Sequence, residues 1–296
     1  MKIIIAGGNG FLGKALTRHF EENGHQVIIL TRKPVAANQI KWDAIHLGEW
    51  TACLEGADVL INLVGKSVDC RYTPKNKIEI VSSRIDSTRV LQKAVEGCIN
   101  PPNVWLNASS ATIYIHAETQ IMTEENGIIG DDFSMNVCKA WEKEFFDSSN
   151  KNIRKVALRT SIVMGNKGGA FPKLALVTKL GLGGIQGRGN QMVSWIHIQD
   201  FCEAVSFIIQ NEEISGSINI TAPERLTNAL MVKELIAKFK PLFALPSPVF
   251  LLEIASIFLG TETELLLKSR NVFPQKLLDA GFEFKYSDFN ACLKAL

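Results

Sequence analysis

Residues 2–13 read KIIIAGGNGFLG. Ile3, Ile4, Ile5 and Ala6 form an unbroken apolar run, the pattern of a strand buried on both faces. Gly7 ends the run. Phe11, Leu12, Ala15, Leu16 and Phe20 then recur at helical spacing, and Asn23-Gly24 supplies a stop. A second apolar run at 26–30 follows. The intervening loop carries Gly7, Gly10 and Gly13, a G-x-x-G-x-x-G spacing with a strand before it, a helix after it and a second strand beyond. Gly7 permits a sharp turn, Gly10 leaves the backbone bare toward a diphosphate, and Gly13 lets the helix lie close on the sheet. The helix start, with the amides of Phe11 and Leu12, offers unpaired N–H groups and partial positive charge to phosphate oxygens. These residues point to a dinucleotide site; a turn with a structural role only is the alternative.

Working outward, apolar strand-length runs recur at 58–64, 103–107 and 155–159. Helical periods fill 74–95 and 133–146, the latter with a stripe at Phe133, Val137, Trp141 and Phe145. Strands alternating with helices predict an α/β fold, a Rossmann-type doubly wound parallel sheet. After residue 165 glycine-rich stretches appear, then a short strand ending at His197, a helix over 199–210, a strand over 217–221, and helices over 227–239, 248–259, 262–268 and 274–280. We therefore expect a cofactor-binding domain over 1–165, with sheet and helix returns from about 190–222. A smaller, mostly helical, substrate-side region over 166–296 includes a tail from about 223.

The chain has 296 residues and a formal charge of +2, which gives no electrostatic reason to expect nucleic acid binding. Six scattered cysteines form no C-x-x-C pair and the histidines no H-E-x-x-H, so neither a disulfide framework nor a metal site is expected. No apolar run reaches membrane-spanning length and no signal-peptide core is present. The expected setting is the cytoplasm, or a matrix or stroma after processing.

The end of the second strand selects the cofactor. A site for NAD(H) carries Asp or Glu there for the ribose 2′-hydroxyl. Here Thr31-Arg32-Lys33 stands instead. Arg32 can fork onto a 2′-phosphate, with Thr31 and Lys33 adding a hydroxyl and a charge. NADP(H) is favoured over NAD(H), the alternative being a solvated basic turn.

Several segments together carry a family resemblance: GGNGFLG at 7–13, TRKP at 31–34, INLVGKSV at 61–68, SSRIDSTRVL at 82–91, NASSATIY at 107–114, VCKAWE at 137–142, LRTSIVMG at 158–165, LGLGG at 180–184, SWIHIQD at 194–200, TAPERLTNA at 221–229 and FPQKLLDAGFEFKY at 273–286. The chain resembles the extended short-chain dehydrogenase/reductases, and most closely an atypical epimerase-like subfamily with its own C-terminal tail. Its members are labelled nucleoside-diphosphate-sugar epimerase and sometimes cell-division inhibitor. The resemblance implies that Leu63, Val64 and Gly65 pass beside the cofactor, that Glu79 and Arg84 line its ribose side, and that Val163 meets the nicotinamide end. Glu79 and Arg84 also read as an intrahelical charge pair. Members of the superfamily often pair through helices equivalent to 75–96 and 132–146, so a homodimer is an expectation, although core packing explains those stripes equally well.

The superfamily's chemistry uses a phenol whose ionisation is eased by a lysine one helical turn on. Tyr-x-x-x-Lys is absent: the residues four beyond Tyr72, Tyr114 and Tyr286 are Asn76, Glu118 and Asn290. Counting back from Glu142, the family's Tyr and Lys positions fall on Ser134 and Cys138. Ser110 fits the family's substrate-orienting serine, with Thr112 a second hydroxyl, and Tyr114 is the candidate substitute acid. His197 and Arg188 are substrate-side candidates, Arg188 for an anion. Two functions stay open: an epimerase-like oxidoreductase with an unknown small-molecule substrate, or a catalytically weak module that senses NADP(H) or docks a partner.

Overall fold

Strand β1 (Lys2–Ala6) lies in the interior of a seven-stranded parallel sheet. A computed structural model describes residues 1–147, 153–246 and 268–296. β1 pairs in parallel with β2 (Gln26–Thr31) on one side and β4 (Val59–Asn62) on the other. β3 (Gln39–Lys41) extends the β2 side. Beyond β4 come β5 (Val104–Ser110), β6 (Arg154–Thr160) and β11 (Gly216–Ile220), giving the order β11-β6-β5-β4-β1-β2-β3. The order reverses direction between β1 and β4, the place beyond the strands' carboxyl ends where sheets of this kind form their ligand crevice.

The continuous apolar runs are explained by two cores, one on each face. Ile3 and Ile5 pack with α1 (Phe11–Glu22) and α5 (Ile198–Gln210) through Leu16, Phe20, Phe201 and Val205. Ile4 and Ala6 face the opposite core with α2 (Pro74–Glu96) and α3 (Phe133–Phe146) through Val90, Leu91 and Phe145. Val137, Trp141 and Phe145 of the α3 stripe are buried within the chain itself. Gly13 settles how close α1 comes: a Cβ there would lie 2.5 Å from the Gly8 Cα, a backbone atom that cannot move aside.

A third apolar cluster lies outside the main sheet. β7 (Ile162–Gly165) pairs with β8 (Gly168–Gly169) and β10 (Trp195–His197), and β9 (Met192–Val193) with β12 (Leu226–Thr227). Around Trp195 pack α4 (Phe171–Lys179), α6 (Asn228–Phe239) and α8 (Phe289–Ala295), while α7 (Gln275–Asp279) inserts Leu277 into the α1–α5 core. Among the described residues no helix is long and apolar enough to cross a membrane.

The structure adds β3, α4, α8 and a 3-10 segment over Glu49–Leu54 to the expected elements. The start signal of α4, Pro172 in its first turn, was hidden among glycines. The helices expected at 248–259 and 262–268 lie outside the described residues, Lys268 excepted. Gly13→Ala should lower unfolding free energy by about 3 kcal/mol, since overpacking against backbone has no cheap relief. An unchanged urea midpoint would refute this account of α1.

Candidate cofactor and active site

The glycine loop closes against the end of β4. Gly7 has φ +81°, and a Cβ on it would meet the Leu63 carbonyl carbon at 3.1 Å. Gly10 is different. Its φ of −74° suits any residue, and an added Cβ would find nothing nearer than 3.6 Å. The chain itself does not require glycine at position 10, and its absent side chain leaves the backbone there bare. Gly10 caps α1 without any side-chain bond, and the first turn holds no acid. The initial amides are left without a side-chain partner, the arrangement in which a helix start can receive an anion. The side chain of Phe11 packs on Gly165 and Gly168 and latches the loop to β7 and β8.

Asn9 ties this loop to the end of β2. Its Nδ2 donates to Thr31 Oγ1 at 2.8 Å, and its Oδ1 accepts from Gln39 Nε2 at 3.3 Å. Gln39 Oε1 in turn accepts from the Val35 amide at 2.9 Å. The turn that follows Thr31 is thus shaped before any ligand arrives. Arg32 and Lys33 are exposed on it and have no ion pair among the described residues. Asn9 and Gln39 escaped the sequence reading, which weighed only the glycines of the motif.

On the other flank, Asn62 holds the turn after β4. Its Oδ1 accepts from the Val64 amide at 3.1 Å, while its Nδ2 donates to Asn107 Oδ1 at 2.7 Å. Glu79 pairs with Lys66, not with Arg84, so the intrahelical charge pair does not form. Arg84 turns inward instead, with Nη1 donating to the carbonyls of Lys66 (3.1 Å) and Ile80 (2.8 Å). Its guanidinium lies against Gly65, where an added Cβ would be 3.0 Å from Cζ. Val163 is buried in the α1–α5 core.

At the end of β5, Ser110 Oγ donates to Thr112 Oγ1 at 2.9 Å and accepts from the Thr112 amide. Both side chains are half-buried. Tyr114 corrects the expectation of a substitute acid. It is fully buried; its hydroxyl donates to Asn219 Oδ1 (2.9 Å) and accepts from Arg159 Nη1 (2.8 Å). Arg159 forks onto Glu142, which also accepts from Ser109 and Ser217. Burial raises the Tyr114 phenol's pKa above its ordinary value. This phenol is a structural post joining β6, α3 and β11. Ser134 and Cys138 are buried as well, and burial pushes the Cys138 thiol up to about 12, so it stays protonated.

Comparison with known proteins agrees with this geometry. The family model described as NAD dependent epimerase/dehydratase matches residues 3–221. The chain belongs to that family. The Bacillus subtilis epimerase family protein YfhF is 35% identical, with 100% of this chain and 98% of YfhF covered. The crystal structure of human epimerase family protein SDR39U1 with NADPH superposes with a TM-score of 0.90 at 29% identity, covering 100% of this chain and 98% of that one. A nucleoside-diphosphate sugar epimerase from Corynebacterium glutamicum gives 0.82 at 30% identity, covering 99% of this chain and 57% of that one.

A second model, a domain of unknown function called DUF1731, matches 247–296. Its described part explains two further residues of this epimerase-family chain. Asp200, in the first turn of α5, accepts the amides of Lys285 (3.1 Å) and Tyr286 (2.9 Å). His197 is buried, its ring 4.0 Å from that of Tyr286, and its Nδ1 accepts the Gln199 amide at the start of α5. The expected substrate-side role of His197 is therefore corrected: it caps a helix and seats the tail. Arg188 is exposed in the loop between α4 and β9.

Burial, and secondarily the Lys285 charge, holds the His197 pKa down at about 4. A histidine depressed in the fold stabilises it fully above the unfolded pKa of about 6.5, and that contribution is lost as pH falls toward 4. His197→Asn keeps a cap and removes the titration, so its stability should fall off less between pH 6.5 and 4, by about 2–3 kcal/mol. Parallel acid limbs in urea unfolding for both proteins would contradict this role.

Proposed function

We propose that the chain binds NADP(H) across the β1–β4 crevice and works as an epimerase-like oxidoreductase on a small polar substrate. The observation that carries this is the pair Arg32–Lys33, free of carboxylates among the described residues and joined through Thr31 and Asn9 to an uncapped glycine loop. The residues fit the cofactor. Gly7, Gly10, Gly13 and the amides of Phe11 and Leu12 would hold its diphosphate, and Thr31, Arg32 and Lys33 its 2′-phosphate. Leu63, Val64 and Gly65 would pass beside the cofactor, Glu79 and Arg84 would line its ribose side, and Val163 would meet the nicotinamide end. Human SDR39U1, crystallised with NADPH, supports this choice.

When bound, NADP(H) supplies or accepts a hydride. Ser110, seconded by Thr112, orients the ligand oxygen. The region after residue 165 would supply the substrate side, with exposed Arg188 the candidate for an anionic group. Six free cysteines support a cytoplasmic setting. The burial of Tyr114 and Cys138 favours a second reading, a cofactor-sensing module of little catalytic power.

Titration with NADPH and NADH should show tighter binding of NADPH. Arg32→Asp should weaken NADPH about 10- to 100-fold, the worth of charge-assisted bonds, and spare NADH. Undiminished NADPH affinity in that variant would end the phosphate assignment. NADPH oxidation with a panel of sugar nucleotides, ketones and quinones separates the two readings: turnover supports the enzyme, silence across the panel the sensor.

A further inference from the structure

Around the inner ends of α2 and α3 nearly every charge is matched. Lys66 pairs with Glu79, Lys139 with Asp131, Lys173 with Asp69, Lys268 with Asp132 and Arg159 with Glu142. Lys77 is exposed over the Phe133 ring, where water screens it. Arg84 is the exception on the crevice wall. No carboxylate lies within ion-pair distance of it among the described residues, and its Nη1 donates to two carbonyl oxygens. It packs over Trp141 at 5.0 Å and occupies the space that Gly65 leaves by lacking a Cβ. Burial disfavours its charge, yet an arginine stays protonated. Its neighbour Cys138, at the position where the superfamily carries a lysine, is a neutral thiol. Among the described residues, the cation of this wall without a carboxylate partner therefore comes from α2.

We infer that Arg84 makes the crevice discriminate between the two oxidation states of its cofactor, favouring NADPH over NADP⁺. This rests on the proposed NADP(H) reading, with the nicotinamide half running along Gly65. The oxidised ring is a cation and the reduced ring is neutral. A fixed positive charge opposes the first and leaves the second untouched. A unit charge within ~10 Å, at an effective dielectric of ~20, changes affinity roughly tenfold. Linkage makes the same preference a bias of the bound pair toward its reduced form. The wall would thus report or retain NADPH with no group undergoing chemistry.

The test uses the full chain with NADPH, NADP⁺ and 2′,5′-ADP, which carries only the adenosine half. The wild type should bind NADPH roughly tenfold tighter than NADP⁺ at low salt. Arg84→Met should bring the two affinities together and leave 2′,5′-ADP binding unchanged. Arg84→Lys, which keeps the charge, should keep most of the preference. A loosened loop alone would weaken both oxidation states alike, so an unaltered ratio in Arg84→Met overturns the inference, as does a ratio lost equally in Arg84→Lys. Should Arg84→Met fail to fold, the Arg84→Lys ratio decides. A wild type that binds 2′,5′-ADP and shows no preference overturns the Arg84 claim alone. A wild type that binds none of the three overturns the cofactor reading itself.

Discussion

Backbone touching backbone is the constraint on which this crevice depends. Gly13 brings α1 onto Gly8, and Gly7 brings the loop onto the carbonyl of Leu63. Neither contact survives a Cβ. Together they set the first helix, the first loop and the end of β4 within one rigid unit, and they aim the uncapped start of α1 into the gap where strand order reverses. The polar links then extend that unit sideways. Asn9 carries it to β2 and β3, and Asn62 carries it to β5 and α2.

Charge is distributed with the same economy. The buried Arg159–Glu142 pair is satisfied by Tyr114, Ser109 and Ser217, so it binds β5, β6, β11 and α3 together without leaving a net charge. Removing either member would strand the other in a dry interior, which is why such networks persist once formed. Arg84 and Arg32 lack such counter-charges among the described residues. They sit at opposite ends of the crevice, one against Gly65 and one on the exposed turn after β2.

The first thirty-three residues disclose most of this. The run at 3–6, the glycine spacing and the absence of an acid after β2 are local features, and local patterns survive without knowledge of the fold. The stripe of α3 is legible for the same reason, since its period depends on one helix only. What stayed hidden needed distant partners. Tyr114 follows Ser110 closely, and nothing nearby shows that a 3-10 turn at Ala111–Ile113 swings the phenol inward to Asn219, 105 positions on. His197 ends a strand in a conspicuous motif, but its neighbour is Tyr286 of the tail. Asn9 was visible but its meaning depends on β2 and β3 ending beside it. Glu79 and Arg84 stand on one helix, but five positions place them on different faces of it, and Glu79 finds Lys66 of the loop after β4 instead.

The reacting end is consequently poor in acids. Tyr114 is locked, Tyr286 stacks on His197 and donates to Gln199, and Tyr72 packs edge-on against Phe133 at 4.9 Å. Ser110 and Thr112 remain, and hydroxyls of this kind orient an oxygen far better than they protonate one. Proton transfer is most effective from a group whose pKa lies near the working pH, and neither alcohol approaches that. Hydride exchange at such a site is easiest when the charge that develops on the substrate is spread over a conjugated system rather than fixed on one oxygen. Under the oxidoreductase reading we propose, the absence of a Tyr-x-x-x-Lys sequence would constrain the chemistry from the substrate's side, and under the sensing reading the site would serve binding alone.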